Sequence, residues 1–232
     1  MIEWDKFRRY ASWMRGLYFG SGCSVLEEVL RMISLNSLNG TVCPGLRDLI
    51  WVAQSYSLPF YRHFISPRLT TFSSAYKLIP GRDPDMILPN LPSMIAELQT
   101  SSLQSLKVDL SIDTVLALTD LNSTVSSAAL RCGPSLTTLS ISVSLGPSDT
   151  ATQYIMQLPG LTTWTTMNGP PRVSDSSPSD AFPKLSTLHP HAEALVGWIS
   201  FLGASAHRAS SEPGTHAPSD RRPSKQLIAL VC

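Results

Sequence analysis

A short apolar phrase recurs along the chain: a leucine, two further residues, an apolar residue, one more residue, then an apolar or small one. A proline usually stands just ahead of it. It runs through Leu46, Leu49 and Trp51 after Pro44, and through Leu69 and Phe72 after Pro67. It returns at Leu103, Leu106 and Val108, then at Leu136, Leu139 and Ile141 after Pro134. The last two cases are Leu161 and Trp164 after Pro159, and Leu185 and Leu188 after Pro183. The leading leucines are separated by steps of 23, 34, 33, 25 and 24 residues. Within each phrase alternate residues are apolar, as Leu139 and Ile141 are on either side of Ser140. That period of two predicts an extended strand with one face inward.

Between the phrases the period changes to that of a helix. Ser24 can cap a helix, with Glu27 three residues on as a capping box and Val25, Leu26, Val29, Leu30 and Ile33 as its apolar stripe. Asp113 opens a weaker pattern through Leu116, Leu121, Val125 and Ala129. Ser148 or Asp149 precedes Ala151, Tyr154, Ile155 and Leu158, and Leu195, Val196, Ile199 and Leu202 form a late stripe. Met94, Ile95 and Leu98 predict a short helix after Pro92. Strands alternating with helices favour a parallel sheet with helices outside.

The repeated phrase selects among such folds. Its spacing scatters around the roughly 20–29-residue period of leucine-rich repeats. The expected fold is therefore α/β, a leucine-rich-repeat-like solenoid with parallel strands on the concave side and helices outside. A lone unit buries almost nothing, so stability has to come from contacts between neighbours. Each leucine buried in the shared ladder contributes about 1.5–3 kcal/mol. Residues 81–90 and 168–180, rich in Pro, Ser, Asp and Gly, read as inserted loops. The expected domain spans residues 1–202 with about six units, followed by a disordered tail over 203–232. The apolar run Leu227–Cys232 has no evident partner segment in this reading.

Composition narrows the function classes. Of 232 residues, 43% are apolar, enough for a sizeable core, and the net charge of +1 provides no footprint for nucleic acid or an anionic membrane. No apolar run approaches the ~20 residues of a membrane span. The first ten residues lack the apolar stretch of a secretory leader, so the expected location is intracellular, cytoplasmic or nuclear. Cys23, Cys43, Cys132 and Cys232 are scattered without a paired-cysteine spacing and read as free thiols. No nucleophile elbow, phosphate-binding loop or HExxH motif occurs, so no catalytic residue, cofactor or metal is assigned. Gly20 to Ser24 reads as a turn into a helix cap, and His189 and His191 as part of an exposed loop. Trp51 and Trp164 fall on strand positions. There they either replace leucine in the ladder or stand on the concave face as binding anchors. Arg47, Lys107 and Thr138 are the other candidate partner-binding residues on that face.

Several segments together resemble a known family. They are Trp4, Phe7, Tyr10 and Met14 at helical spacing, Cys43-Pro44-Gly45-Leu46 with Trp51, and Leu58-Pro59-Phe60 with Phe64 and Pro67. Leu158-Pro159-Gly160-Leu161 and Phe182-Pro183-Lys184-Leu185 extend the match. Over roughly residues 1–202 the chain resembles basidiomycete F-box proteins with leucine-rich repeats. In that family an F-box docks an adaptor of a cullin-type ubiquitin ligase, and the repeats hold the substrate. The chain opens on the helix containing Trp4 without a preceding F-box segment, so the resemblance implies the repeat half and leaves adaptor docking unsupported. The expected function is a protein-interaction scaffold, a substrate-recognition module and not an enzyme. The alternatives are a small α/β hydrolase or transferase with a dispersed Ser/His/Asp site, and a truncated fragment without function.

Overall fold

A computed structural model describes residues 4–20, 25–37, 40–53, 55–77, 98, 102–111, 135–143, 149–166, 169–170, 183–202 and 229–230. The chain is an α/β protein built on one sheet. Helix α1 spans Trp4–Trp13 and leads into β1, Gly16–Phe19. Helix α2, Val25–Asn36, precedes β2, Asp48–Ala53, and a 3₁₀ segment, Ser55–Phe64, precedes β3, Thr71–Lys77. Strands β4, Ser105–Ser111, and β5, Thr138–Val143, follow. Helix α3, Asp149–Met156, leads to β6, Thr163–Thr166, and then to β7, Thr187–Pro190. Residues 195–202 form helix α4, and β8 is Ala229–Leu230.

Among the described residues all strand pairs are parallel, and the order across the sheet is the order along the chain, β1 to β8. Each of the six phrases runs into one strand. The apolar positions lie in one row: Leu17, Leu49, Phe72, Leu106, Leu139, Trp164, Leu188 and Leu230 are register partners. From Leu49 to Leu188 every member of the row is buried. The leading leucines, Leu46 to Leu185, make a second buried row in the turns ahead of the strands.

The turns repeat as closely as the strands. The Arg15 carbonyl accepts the N–H groups of both Arg47 and Asp48, at 2.7 and 3.0 Å. The Arg47 carbonyl does the same for Thr70 and Thr71, Thr70 for Gln104 and Ser105, and Gln104 for Thr137 and Thr138. Thr137 then serves Thr162 and Thr163, and Thr162 serves Ser186 and Thr187. At four of these positions a hydroxyl also donates to the same carbonyl: Thr70, Thr137, Thr162 and Ser186, at 3.0–3.2 Å. In the Thr70–Thr71, Thr137–Thr138 and Thr162–Thr163 pairs, the first threonine therefore locks the turn while the second begins a strand. A backbone carbonyl has two lone pairs, and the forked arrangement uses both.

Helices close the inner face. Leu30 and Ile33 of α2, Ile155 of α3 and Trp198 of α4 join the strand residues in one core cluster. Trp198 packs edge-on against Trp164 at 5.2 Å between ring centroids. At the other end Phe19 stacks on Trp51 at 4.1 Å, and Phe64 of the 3₁₀ segment leans on both rings.

Three expectations need revision. Strand β1 falls between the helical spacing of Trp4 to Met14 and the turn at Gly20 to Ser24, where no element was expected. Val29 is 39% exposed, although the stripe of α2 placed it inward. Residues 229–230 pair with β7, so part of the terminal apolar run does find a partner strand. The expected helices from Asp113 and around Met94, apart from buried Leu98, lie outside the described residues, as do loop 81–90, most of 168–180 and residues 203–228.

Candidate functional site

The outward face of the sheet is set by the same alternation that builds the core. One row runs Gly16, Asp48, Thr71, Ser105, Thr138, Thr163 and Thr187, and the next runs Tyr18, Ile50, Ser73, Lys107, Ser140, Thr165 and His189. Tyr18 is 68% exposed and Ile50 40%. The face thus changes along its length, from an aromatic and aliphatic end with Asp48, through Lys107 and Asp109 in the middle strand, to a hydroxyl-rich end closed by His189.

The five candidate partner-binding residues divide. Lys107 is exposed at the centre of the outward face, and Thr138 is half-buried on β5 beside Ser105 and Thr163. Arg47 is exposed in the turn before β2 and holds the turn ladder through its carbonyl. Trp51 and Trp164 are 0% and 1% exposed. Both indoles point into the core, where they take the place of a ladder residue, so neither is an anchor on the outward face. Spacing along the phrase carries that information: Trp51 shares the parity of Leu49, and Trp164 stands three residues after Leu161, the step that separates Leu136 from the buried Leu139. Ile50 and Asp109 have the opposite parity and were legible as outward by the same count, whereas Tyr18 lies on the unexpected strand β1 and His189 falls in the segment expected to be a loop.

A concavity lies beside α1. It has a volume of about 490 Å³ and is lined by Trp4, Phe7 and Arg8 of α1, by Asn36 and Ser37 at the end of α2, and by residues 40–42 and Pro44. Its polar wall is fixed. Thr41 Oγ1 donates to the Ile65 carbonyl at 3.0 Å, and Ser37 Oγ lies 2.9 Å from His63 Nδ1. The other ring nitrogen of His63 lies 3.1 Å from Ser34 Oγ. Burial, helped by the Arg62 charge, holds the His63 imidazole below its usual pKa of 6.5. A neutral imidazole between two serines can accept one proton bond and donate the other. A hydrolytic triad instead needs one nitrogen held by a carboxylate, and none is a hydrogen-bond partner of His63 among the described residues.

Cys43 is free and buried, with Sγ 3.9 Å from Met14 Sδ. Burial pushes its thiol up to about 11, which keeps it protonated and unreactive near neutrality. Among the described residues no three His, Cys, Asp or Glu side chains gather as ligands for a metal ion, and no helix is long and apolar enough to cross a membrane. His189 and His191 fall on opposite sides of Pro190, one on the outward row of β7 and the other exposed beyond it.

No protein-family model, no curated protein and no solved structure matches this chain.

Proposed function

We propose that the chain is a protein-interaction scaffold, a leucine-rich-repeat-like solenoid whose outward sheet face holds a protein partner. In the family resemblance it corresponds to the substrate-recognition half of an F-box protein of a cullin-type ubiquitin ligase. The observation that carries this reading is the parallel sheet in chain order, with seven strands presenting two in-register rows of mixed apolar, charged and hydroxyl side chains. Such a face is broad and shallow, suited to a protein surface more than to a small substrate. Its exposed aromatic at Tyr18 and the neighbouring Ile50 are the kind of side chain that dominates binding energy.

Affinity capture from a cell extract, followed by mass spectrometry, tests the reading. The expected result is a partner lost from the double variant Tyr18→Ala/Lys107→Glu and retained by Val196→Ser on the helical side. Recovery of the same proteins by all three chains would overturn it. The competing reading, ester or amide hydrolysis, has its nearest geometry at Ser37 and His63. Turnover of a p-nitrophenyl ester by the wild type, and its loss in Ser37→Ala, would favour that reading instead.

A further inference from the structure

We propose that the cleft between α1 and the segment 40–44 is a second docking site, which takes an acidic peptide segment bearing an apolar anchor side chain. The proposal is independent of the outward sheet face and stands whether or not that face binds a partner.

The chemistry of the walls defines the occupant. Trp4, Phe7 and Val42 are half-buried, and the two rings meet edge to face at 5.3 Å, so they form an apolar seat that is already shaped. The volume of about 490 Å³ lies inside the range of ligand-binding pockets. Among the described residues Arg8 is the one formally charged residue of the lining. Its guanidinium makes a long hydrogen bond of 3.4 Å to the Asn36 carbonyl, and among the described residues no carboxylate faces it. A guanidinium with its fork open beside an apolar seat matches a carboxylate flanking an apolar side chain. The cleft is bounded by the exposed residues Arg8, Gly40 and Pro44, so a chain can lie across it and continue on either side. That openness favours a peptide over an enclosed small molecule.

Gly40 provides a clean way to fill the cleft. A Cβ placed there meets no atom within 4 Å, and the residue is exposed. Gly40→Trp therefore adds a bulky side chain on the cleft's lining without a clash at its Cβ. Arg8→Glu, also at an exposed position, reverses the charge. The experiment is fluorescence anisotropy on the full chain with two labelled peptides, Asp-Glu-Leu-Asp-Glu-Phe-Leu-Asp-Asp and its counterpart with Lys at every acidic position. The expected result is saturable binding of the acidic peptide alone, weakened by about tenfold or more in each variant, with melting temperatures unchanged. Unaltered affinity in Gly40→Trp, equal binding of both peptides, or no binding up to about 1 mM peptide would overturn the proposal. Binding to phosphatidylserine vesicles that is abolished by Arg8→Glu, without peptide binding, would also overturn it by assigning the cleft to a membrane surface.

Discussion

The two ends of the sheet share a backbone register and differ in what they bury and present. At the amino-terminal end the second inward row holds Phe19 and Trp51, stacked at 4.1 Å and capped by Phe64. Three strands on, the same row holds Val108 and Ile141, and at the carboxyl-terminal end it holds Thr166. The first inward row stays apolar throughout, from Leu49 to Leu188. The outward face diverges further: Tyr18 and Ile50 at one end, Thr165 and His189 at the other. One row and one turn ladder thus fix the stacking, and the remaining positions are left free to set local packing and surface chemistry.

The largest effects should come from testing whether the aromatic end and the middle of the sheet contribute as separate cores. Trp51→Ala removes the centre of the aromatic stack and should cost about 3–5 kcal/mol. Leu139→Ala in the middle of the sheet should cost about 2–5 kcal/mol. Denaturant titration of both variants and of the double variant measures this. Additive losses within experimental error mean the aromatic end and the middle of the sheet act independently, and strong coupling between them would break the comparison.

Gly45→Ala comes next and probes only the amino-terminal end. An added Cβ there collides with the Arg15 guanidinium and sits 2.8 Å from the Ser12 carbonyl oxygen. Overpacking of this kind costs about 1–3 kcal/mol. Replacing Arg15 with Ala in the same chain should recover part of the loss, since Arg15 Nη1 is the nearer obstacle. A melting temperature equal to wild type for Gly45→Ala would show that the turn is looser than described.

Ser74 marks where the aromatic end gives way to the aliphatic middle. It is the register partner of Trp51, is fully buried, and its Oγ has no hydrogen-bond partner among the described residues. Trp51 Nε1 is in the same condition. Ser74→Ala removes a buried polar group without a partner, so it should be neutral or stabilise the fold by up to about 1–2 kcal/mol. A clear loss of stability would mean that the hydroxyl is satisfied after all.

The smallest effect is that of pH. His63 is held below its usual pKa of 6.5, chiefly by burial and then by Arg62. The unfolded chain therefore takes up this proton more readily than the folded one. Its contribution to stability is complete above the unfolded pKa and is lost as pH falls from there through the lowered folded pKa. Melting temperature should fall between about pH 7.5 and 5, and His63→Gln should flatten that fall. An unchanged slope in the variant would place the pH sensitivity elsewhere.

How much of this was legible in the sequence depends on the kind of residue. Leu46, Leu69, Leu136 and Leu185 announce buried turns because each stands at a fixed distance from its strand. The second residues of the threonine pairs are assigned to the outward face by the same count. Trp51 and Trp164 are the instructive cases. Parity alone puts them inside, but a tryptophan at a strand position also suits a binding anchor, and composition does not distinguish the two. Strand β1 was hidden because Met14, Leu17 and Phe19 lack the proline-led phrase, and Gly20 to Ser24 attracted a turn assignment. The cleft beside α1 had no sequence signal, since its described walls come from Trp4, Phe7 and Arg8 on one side and from residues 36–37, 40–42 and 44 on the other, brought together only by tertiary packing.

Periodicity by itself determined that this chain alternates strands with helices and that its strands bury a common row. That follows because a period of two or of 3.6 fixes which side chains share a face, whatever lies opposite. The tertiary structure decided the rest: which neighbour each strand pairs with, that the carbonyls of Arg15 through Thr162 link successive turns, and that both central tryptophans lie inside. Those outcomes depend on contacts between segments 23 to 34 residues apart. No local pattern specifies what a side chain will meet at that distance.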